Sequence, residues 1–143
     1  MMMNSEVMPL KKKKIRKSRL IVLNEDKILV LKRTEEGLRY SLAGGVVKKK
    51  ETQKEGLIRE VQEEIFAALN KTELKLLFGY IKKKKGIKIK KSYYVLKTKA
   101  QHPFQLQETE KFDDLVWVNI IEALKHFKKQ ERALLEKYLL KLN

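Results

Sequence analysis

The chain has 143 residues, and 34 lysines and arginines against 18 aspartates and glutamates give it a formal net charge of +16. This length favours a single domain, and 43% hydrophobic residues with only 6 glycines and 2 prolines exclude a disordered chain. The absence of cysteine excludes disulfides, thiolate metal sites and cysteine nucleophiles, and it favours a reducing cytoplasm.

The N-terminal segment is basic and does not resemble a signal sequence. Residues 1–14 carry their lysines after a few apolar residues, which is the wrong order for secretion. Apolar runs elsewhere are only a few residues long, whereas a helix that crosses a bilayer needs about 20. We therefore expect no membrane segment, a flexible basic arm over residues 1–14 and one domain over residues 15–143.

The periodicity of apolar residues predicts both strands and helices. Between residues 52 and 69 the apolar side chains recur at the spacing of one helical face, whereas most other segments alternate as strands do. Hairpins combined with a crossover helix predict an α/β sandwich with a mixed sheet and helices on its faces. The predicted strands cover residues 15–23, 27–33, 38–42, 73–83, 87–99 and 114–118, and residues 120–142 are predicted to form one or two further helices.

Three carboxylates are clustered on the predicted helix. Glu60, Glu63 and Glu64 fall within an arc of about 100° beside the apolar stripe. Glu63 and Glu64 lie in the last turns, where the helix dipole disfavours negative charge. A divalent cation would reverse this cost, and carboxylate oxygens are the ligands that Mg²⁺ or Mn²⁺ prefers. The alternative is an ordinary solvated acidic face.

The segment from Gly45 to Ala67, GVVKKKETQKEGLIREVQEEIFA, resembles the Nudix box. That motif is G-x5-E-x7-R-E-U-x-E-E-x-G-U, where U is a bulky aliphatic residue. Five of the matching positions are charged, which makes an accidental match improbable. The residues that match at the required spacing are Gly45, Glu51, Arg59, Glu60, Val61, Glu63 and Glu64.

Two positions depart from the family pattern. Phe66 stands where the box has a glycine, and Ala43 stands where a proline often precedes the double glycine. Because the glycine normally ends the helix, we expect the helix of this chain to continue through Ala67 and Ala68 to Asn70. All the carboxylates lie upstream of this change.

The resemblance implies a Nudix-type α/β/α sandwich with a loop-helix-loop motif that holds Mg²⁺ or Mn²⁺ against a diphosphate. It implies metal-dependent hydrolysis of a nucleoside diphosphate linked to another moiety, with a metal-bound water as the attacking group. Glu51 is expected to orient Arg59. The implied metal ligands are Glu60, Glu63, Glu64 and the backbone carbonyl of Gly45.

Residues outside the helix add to the predicted site. Nudix proteins often recruit one more acidic residue, as ligand or general base, from the region before the late strand. Glu110 is preferred because it lies within the loop; the candidates are Glu108, Glu110, Asp113 and Asp114. In the box loop, Lys48, Lys49 and Lys50 either contact substrate phosphate or are simply solvated.

The four aromatic residues of the long hairpin have two interpretations. They either pack in the core, which is the commoner role of aromatic residues in strands, or stack on a base. The first interpretation is favoured. The residues are Phe78, Tyr80, Tyr93 and Tyr94.

The basic charge leaves the partners open. Of the 34 basic residues 28 are lysines, so a small anionic substrate is favoured over a nucleic acid, for which arginine is the usual specific contact. The main alternative to an enzyme is a phosphate- or RNA-binding module that keeps the fold. The related isopentenyl-diphosphate isomerases use a cysteine and are disfavoured. No motif selects a particular nucleotide substrate, and a homodimer is one open option.

Overall fold

The computed structural model describes residues 13–99 and 104–142. In this part of the chain a seven-stranded sheet lies between α helices, with short 3-10 turns at Lys71–Glu73 and Leu140–Leu142. The strands are β1 (Lys13–Asn24), β2 (Lys27–Arg33), β3 (Arg39–Ser41), β4 (Ala43–Val46), β5 (Lys75–Lys84), β6 (Ile87–Lys97) and β7 (Asp114–Asn119), and the helices are α1 (Gln53–Ile65), α2 (Ile120–Leu124) and α3 (Lys129–Leu139).

Strand β1 is the centre of the sheet. It pairs in parallel with β6 over a register that runs from Lys13 opposite Ile87 to Leu23 opposite Lys97. On its other edge it pairs antiparallel with β2 at one end and with β4 at the other. The main strand order is β3-β2-β1-β6-β5, with β7 paired to β2, so the sheet is mixed as predicted.

The start of β1 includes the last residues of the predicted arm. Lys13 and Lys14 pair with β6, and residues 1–12 lie outside the described residues.

Each face of the sheet has its own hydrophobic core. Because side chains alternate along a strand, Ile21 and Leu23 pack under α2 and α3, whereas Leu20 and Val22 pack under α1. This arrangement is the predicted α/β/α sandwich. None of the helices in the described ranges is long and apolar enough to span a membrane.

The hairpin aromatics mostly form core. Phe78 stacks between Tyr93 and Tyr138, with ring centroids 4.3 and 4.5 Å apart. Phe78, Tyr93 and Tyr94 are buried, which confirms the core interpretation for these three. Tyr80 is only partly buried and borders the same core.

Helix α1 begins as predicted but ends earlier. Thr52 and Glu55 form a capping box, in which each side chain accepts a hydrogen bond from the backbone N–H of the other residue. The prediction that the helix continues to Asn70 is wrong. Phe66 adopts the left-handed conformation, with φ 52° and ψ 46°, and so makes the turn that glycine makes in the box.

The end of α1 is held by a distant segment of the chain. The N–H groups of Gln105 and Gln107 donate hydrogen bonds of 2.9 Å to the carbonyls of Ile65 and Glu64. These carbonyls would otherwise need partners from another turn of helix or from water. The segment before β7 therefore supplies partners that let α1 stop at Ile65.

Phe66 provides a test of this strained turn. We expect Phe66→Gly to be more stable than Phe66→Ala by about 1 kcal/mol, because both changes remove the exposed ring but only glycine adopts a positive φ without a steric penalty. Urea denaturation of both variants measures the difference. Equal stabilities would contradict the strained turn.

Candidate active site

Two glycines let β4 lie directly against β1 and α1. A Cβ on Gly44, whose φ is 137°, would lie 2.1 Å from the carbonyl oxygen of Ser18, and a Cβ on Gly45 would lie 2.6 Å from the carboxyl carbon of Glu60. A side chain at Gly44 would force β4 away from the backbone of β1, whereas a side chain at Gly45 would displace the Glu60 carboxylate. The double glycine therefore brings the Glu60 carboxylate against the backbone of β4.

Arg59 connects the box loop to the acidic face of α1. Its Nε and Nη2 donate to the two carboxylate oxygens of Glu51, at 2.7 and 3.0 Å. Nη2 also donates to the carbonyl of Val46, at 3.0 Å, while Nη1 donates to Glu60 and Glu63, at 3.1 and 3.2 Å. One guanidinium thus contacts three carboxylates and the backbone of β4.

The ion pair predicted between Glu51 and Arg59 is therefore present, and it is bidentate. The hydrogen bonds from Arg59 lower the pKa of the Glu51 carboxyl to about 2; burial opposes this shift, and the N–H of Lys48 adds to it. The same pair raises the pKa of Arg59. Both groups stay ionised throughout the physiological pH range.

Glu64 differs from the other two carboxylates because it is buried. Only 6% of the residue is exposed, and its Oε1 accepts a hydrogen bond of 2.8 Å from the N–H of Gly44. Burial raises the pKa of this carboxyl to about 7; the Gly44 hydrogen bond and the Arg19 charge oppose the shift, and Glu108 adds to it. Glu64 therefore lies on the inner side of the acidic cluster.

The late loop brings Glu108, rather than Glu110, to the helix. Glu108 follows the segment that caps α1, and its carboxyl interacts with that of Glu64. Glu110 is exposed and makes no hydrogen bond or ion pair with any described residue. Asp113 accepts hydrogen bonds from Thr34, and Asp114 accepts one from the N–H of the next residue. Of the four sequence candidates, Glu108 is the one that joins the site.

The carboxylates and the backbone carbonyl at this site are suitable ligands for a hard cation. In the structure, however, the carboxylates are hydrogen-bonded to other groups of the protein. Carboxylates and a backbone carbonyl are typical Mg²⁺ ligands, and Glu60 lies against Gly45. In residues 13–99 and 104–142, no three acidic or histidine side chains converge closely enough to hold a metal as they stand. Glu60 and Glu63 share Nη1 of Arg59 instead, and Glu64 faces Gly44. A cation therefore has to compete with Arg59 for these oxygens.

The box-loop lysines are exposed. The carbonyls of Lys48 and Lys49 accept hydrogen bonds from Nη2 of Arg16, and the N–H of Val47 donates to the Arg16 carbonyl. The side chains of Lys48, Lys49 and Lys50 make no hydrogen bond or ion pair with the described residues. Their backbone is thus fixed while their ammonium groups are available.

Two positioning contacts had no signal in the sequence. One is the attachment of the loop by Arg16. The other is a buried network in which Ser18 Oγ donates to the carbonyl of Gln53, and Gln53 Nε2 donates to the carbonyl of Lys17 and to Ser92 Oγ. This network fixes the first turn of α1 on β1 and β6. Isolated serines and a glutamine are too common for a pattern to single them out.

Comparison with known proteins identifies the family. Residues 14–138 match the NUDIX domain. The chain belongs to the Nudix family. As a Nudix protein it is a hydrolase that acts on phosphoanhydride bonds. No curated protein sequence matches the chain.

Several solved structures have the same fold as this chain. The solution structure of the E. coli ORF135 protein has a TM-score of 0.73 and 24% identity, over 91% of each chain. The MutT protein from Methanosarcina mazei Go1 has a TM-score of 0.71 and 20% identity, over 93% of this chain and 98% of that one. A MutT Nudix hydrolase from Burkholderia pseudomallei has a TM-score of 0.67 and 21% identity, over 87% of this chain and 97% of that one. At these identities the likeness shows a shared fold.

Arg59 is expected to support the site mainly as a structural brace. Arg59→Lys should lower the free energy of unfolding by about 1–3 kcal/mol, because lysine cannot form the bidentate pair and leaves the partly buried Glu51 carboxylate with fewer donors. The matched control Arg132→Lys, whose ion pair with Glu136 is exposed and 4.0 Å long, should change stability by less than about 0.5 kcal/mol. Lost activity with unchanged stability would instead indicate direct contact between Arg59 and substrate.

Glu64 makes the stability of the metal-free protein depend on pH. Its pKa is about 7 in the folded state against an ordinary 4.5, so between these values the folded state binds more protons and stability falls as pH rises. In EDTA, Glu64→Gln should match the natural protein near pH 4.5 and exceed it by about 1–3 kcal/mol at pH 8. Denaturation at both pH values measures this, and a constant difference would refute the assignment.

Proposed function

We propose that the chain hydrolyses a diphosphate bond in a nucleoside diphosphate linked to another moiety, and that the reaction depends on Mg²⁺ or Mn²⁺. The observation that carries the proposal is the cluster around Arg59. There the Glu60 carboxylate lies against Gly45 and shares a guanidinium with Glu63, next to the buried Glu64. A structural acidic face would not need Glu51, Glu60 and Glu63 to share one guanidinium.

Glu60, Glu63, Glu64 and the carbonyl of Gly45 would hold the metal. When bound, the metal would neutralise the diphosphate charge and lower the pKa of a water molecule. Its positive charge would also favour the ionised form of Glu64. Binding is then expected to release protons near neutral pH.

Residues around the metal ligands would fix the box loop, supply a general base and contact the substrate phosphate. Arg59 and Glu51 would fix the box loop relative to α1, so that the Gly45 carbonyl keeps its position beside Glu60. Loop position favours Glu110 as the additional ligand or general base, but the contact with Glu64 favours Glu108 for this role. Lys48, Lys49 and Lys50 are available to contact substrate phosphate.

A second candidate function is a phosphate- or RNA-binding module without catalysis. The net charge of +16 is the observation that favours it. The complete set of box carboxylates favours the enzyme, because binding alone would not require them. A cysteine-free chain is compatible with the cytoplasm, which we propose as its location, and the oligomeric state, including a homodimer, is open to measurement.

The test is hydrolysis of a panel of nucleoside diphosphate derivatives with Mg²⁺ or Mn²⁺. Because cleavage yields two phosphomonoesters, a coupled phosphatase converts these products to inorganic phosphate, which is measured. Glu63→Gln should lower kcat by at least about 100-fold, because it removes a metal ligand without disturbing a buried contact. The control Glu73→Gln, at an exposed position on a 3-10 turn, should leave kcat unchanged. Glu108→Gln should lower kcat more than Glu110→Gln.

Three outcomes would count against the proposal. Turnover without divalent metal, or equal kcat for Glu63→Gln and the natural protein at saturating metal, would reject the metal site. Tight binding of an RNA oligomer near 0.15 M salt, with no hydrolysis of any panel member, would favour the binding module.

A further inference from the structure

A second, strongly basic cavity lies on the sheet face that α3 covers. It has a volume of about 390 Å³ and is enclosed by β1, β3, β5, β6 and the start of α3. Seven of its lining side chains are lysine or arginine, and a single one, Glu131, is acidic. The box residues described above are not part of this lining.

The sheet register places like charges side by side in this cavity. Lys17 of β1 is directly opposite Lys91 of the parallel strand β6, and Tyr80 of β5 is the next neighbour across. Like charges at paired positions of a sheet destabilise it. Solvated surface lysines avoid this cost by extending into water, but a concave wall brings ammonium groups towards one another.

The cavity contains little negative charge to compensate. Lys91 is only 20% exposed, and its ammonium lies 3.7 Å from a Glu131 oxygen that also accepts a hydrogen bond from Tyr93. Burial lowers the pKa values of both Lys17 and Lys91, and neighbouring cations that include Arg19 lower them further. For Lys91, the negative charge of Glu131 opposes this shift. The positive charges of the lining therefore outnumber the negative charges that could neutralise them.

Arg19 links the wall of this cavity to the box, because it lies opposite Gly44 in the pairing of β1 with β4, and the N–H of Gly44 donates to Glu64. Nη1 of Arg19 donates to the carbonyl of Leu42, at 3.5 Å, and both residues line the cavity. Leu42 immediately precedes β4, which carries Gly44 and Gly45. The cavity wall and the acidic cluster therefore adjoin at the pair formed by Arg19 and Gly44.

We propose that this cavity binds one or more phosphate groups that the substrate carries in addition to the diphosphate that is hydrolysed. The inference rests on the proposed function and narrows its substrate class to nucleotide derivatives with a further phosphate, such as a ribose 2′- or 3′-phosphate. Guanidinium and ammonium groups bind phosphate through charge-assisted hydrogen bonds. An uncharged sugar or base would leave the cationic excess uncompensated.

Substrate pairs that differ by one phosphate test the proposal directly. NADPH against NADH, and coenzyme A against dephospho-coenzyme A, are compared by their kcat/KM with Mg²⁺ or Mn²⁺. The natural protein should prefer the phosphorylated member of at least one pair. Lys91→Met and Lys17→Met should each reduce that preference at least about tenfold, through KM and not kcat, which corresponds to one lost charge-assisted hydrogen bond. Lys75→Met, at an exposed position of β5 remote from this lining, is the charge-matched control.

A binding measurement separates the cavity from the hydrolysis. Tripolyphosphate is titrated in EDTA by calorimetry, and its affinity should fall at least about tenfold in Lys91→Met and Lys17→Met but not in Lys75→Met. Thermal unfolding checks that each variant is folded. Two cavity variants are used, so that the proposal can still be tested if one of them does not fold. If the cavity variants lose tripolyphosphate affinity but the protein hydrolyses no substrate, the proposed function is refuted and phosphate binding by the cavity is supported.

Other results would overturn the cavity proposal. These are equal tripolyphosphate affinity in the natural protein and both cavity variants, or hydrolysis with no preference for the phosphorylated member of either pair. Competition by an RNA oligomer that lacks terminal phosphates, at the same affinity as tripolyphosphate, would instead assign the cavity to nucleic-acid binding.

Discussion

The arrangement of the site depends on one guanidinium. Arg59 binds the box loop through Glu51 and Val46 and the helix through Glu60 and Glu63. Without a cation between them, the carboxylates would repel one another and the loop would have no ionic link to α1. The site is thus held in place by an internal positive charge, and the proposed metal would have to compete with Arg59 for the same oxygens.

Much of the fold was predictable because its signals are periodic. The alternation of residues along β1, β2, β5, β6 and β7 locates these strands to within about two residues, and the helical period locates the start of α1 but not its end. The resemblance to the Nudix box likewise implied that Glu51 orients Arg59, and the fixed intervals between charged residues are what made that resemblance recognisable. These are signals within one element or between neighbours, which a sequence displays directly.

The features that were not predicted depend on contacts between distant segments. The helix ends at Phe66 because Gln105 and Gln107, some 40 residues later, bind its last carbonyls, and this tertiary pairing overrides the steric preference of phenylalanine. The same docking brings Glu108 to the helix. The preference for Glu110 rested on its position in the loop, and the sequence does not reveal the contact between Glu108 and Glu64. The inward turn of Glu64 depends in the same way on the close approach that Gly44 allows.

The parallel pairing of β1 with β6 has a consequence for how the protein acquires its activity. The two strands are separated by the whole of β2, β3, β4, α1 and β5, so their pairing closes a long loop and contributes contacts of high sequence separation, which slow folding. The box lies within that loop. During synthesis the first 86 residues already contain every box residue, yet β1 has no β6 to complete the sheet beneath α1. A chain emerging from the ribosome therefore completes its hydrolytic site late, in the same step that joins the two halves of the sheet.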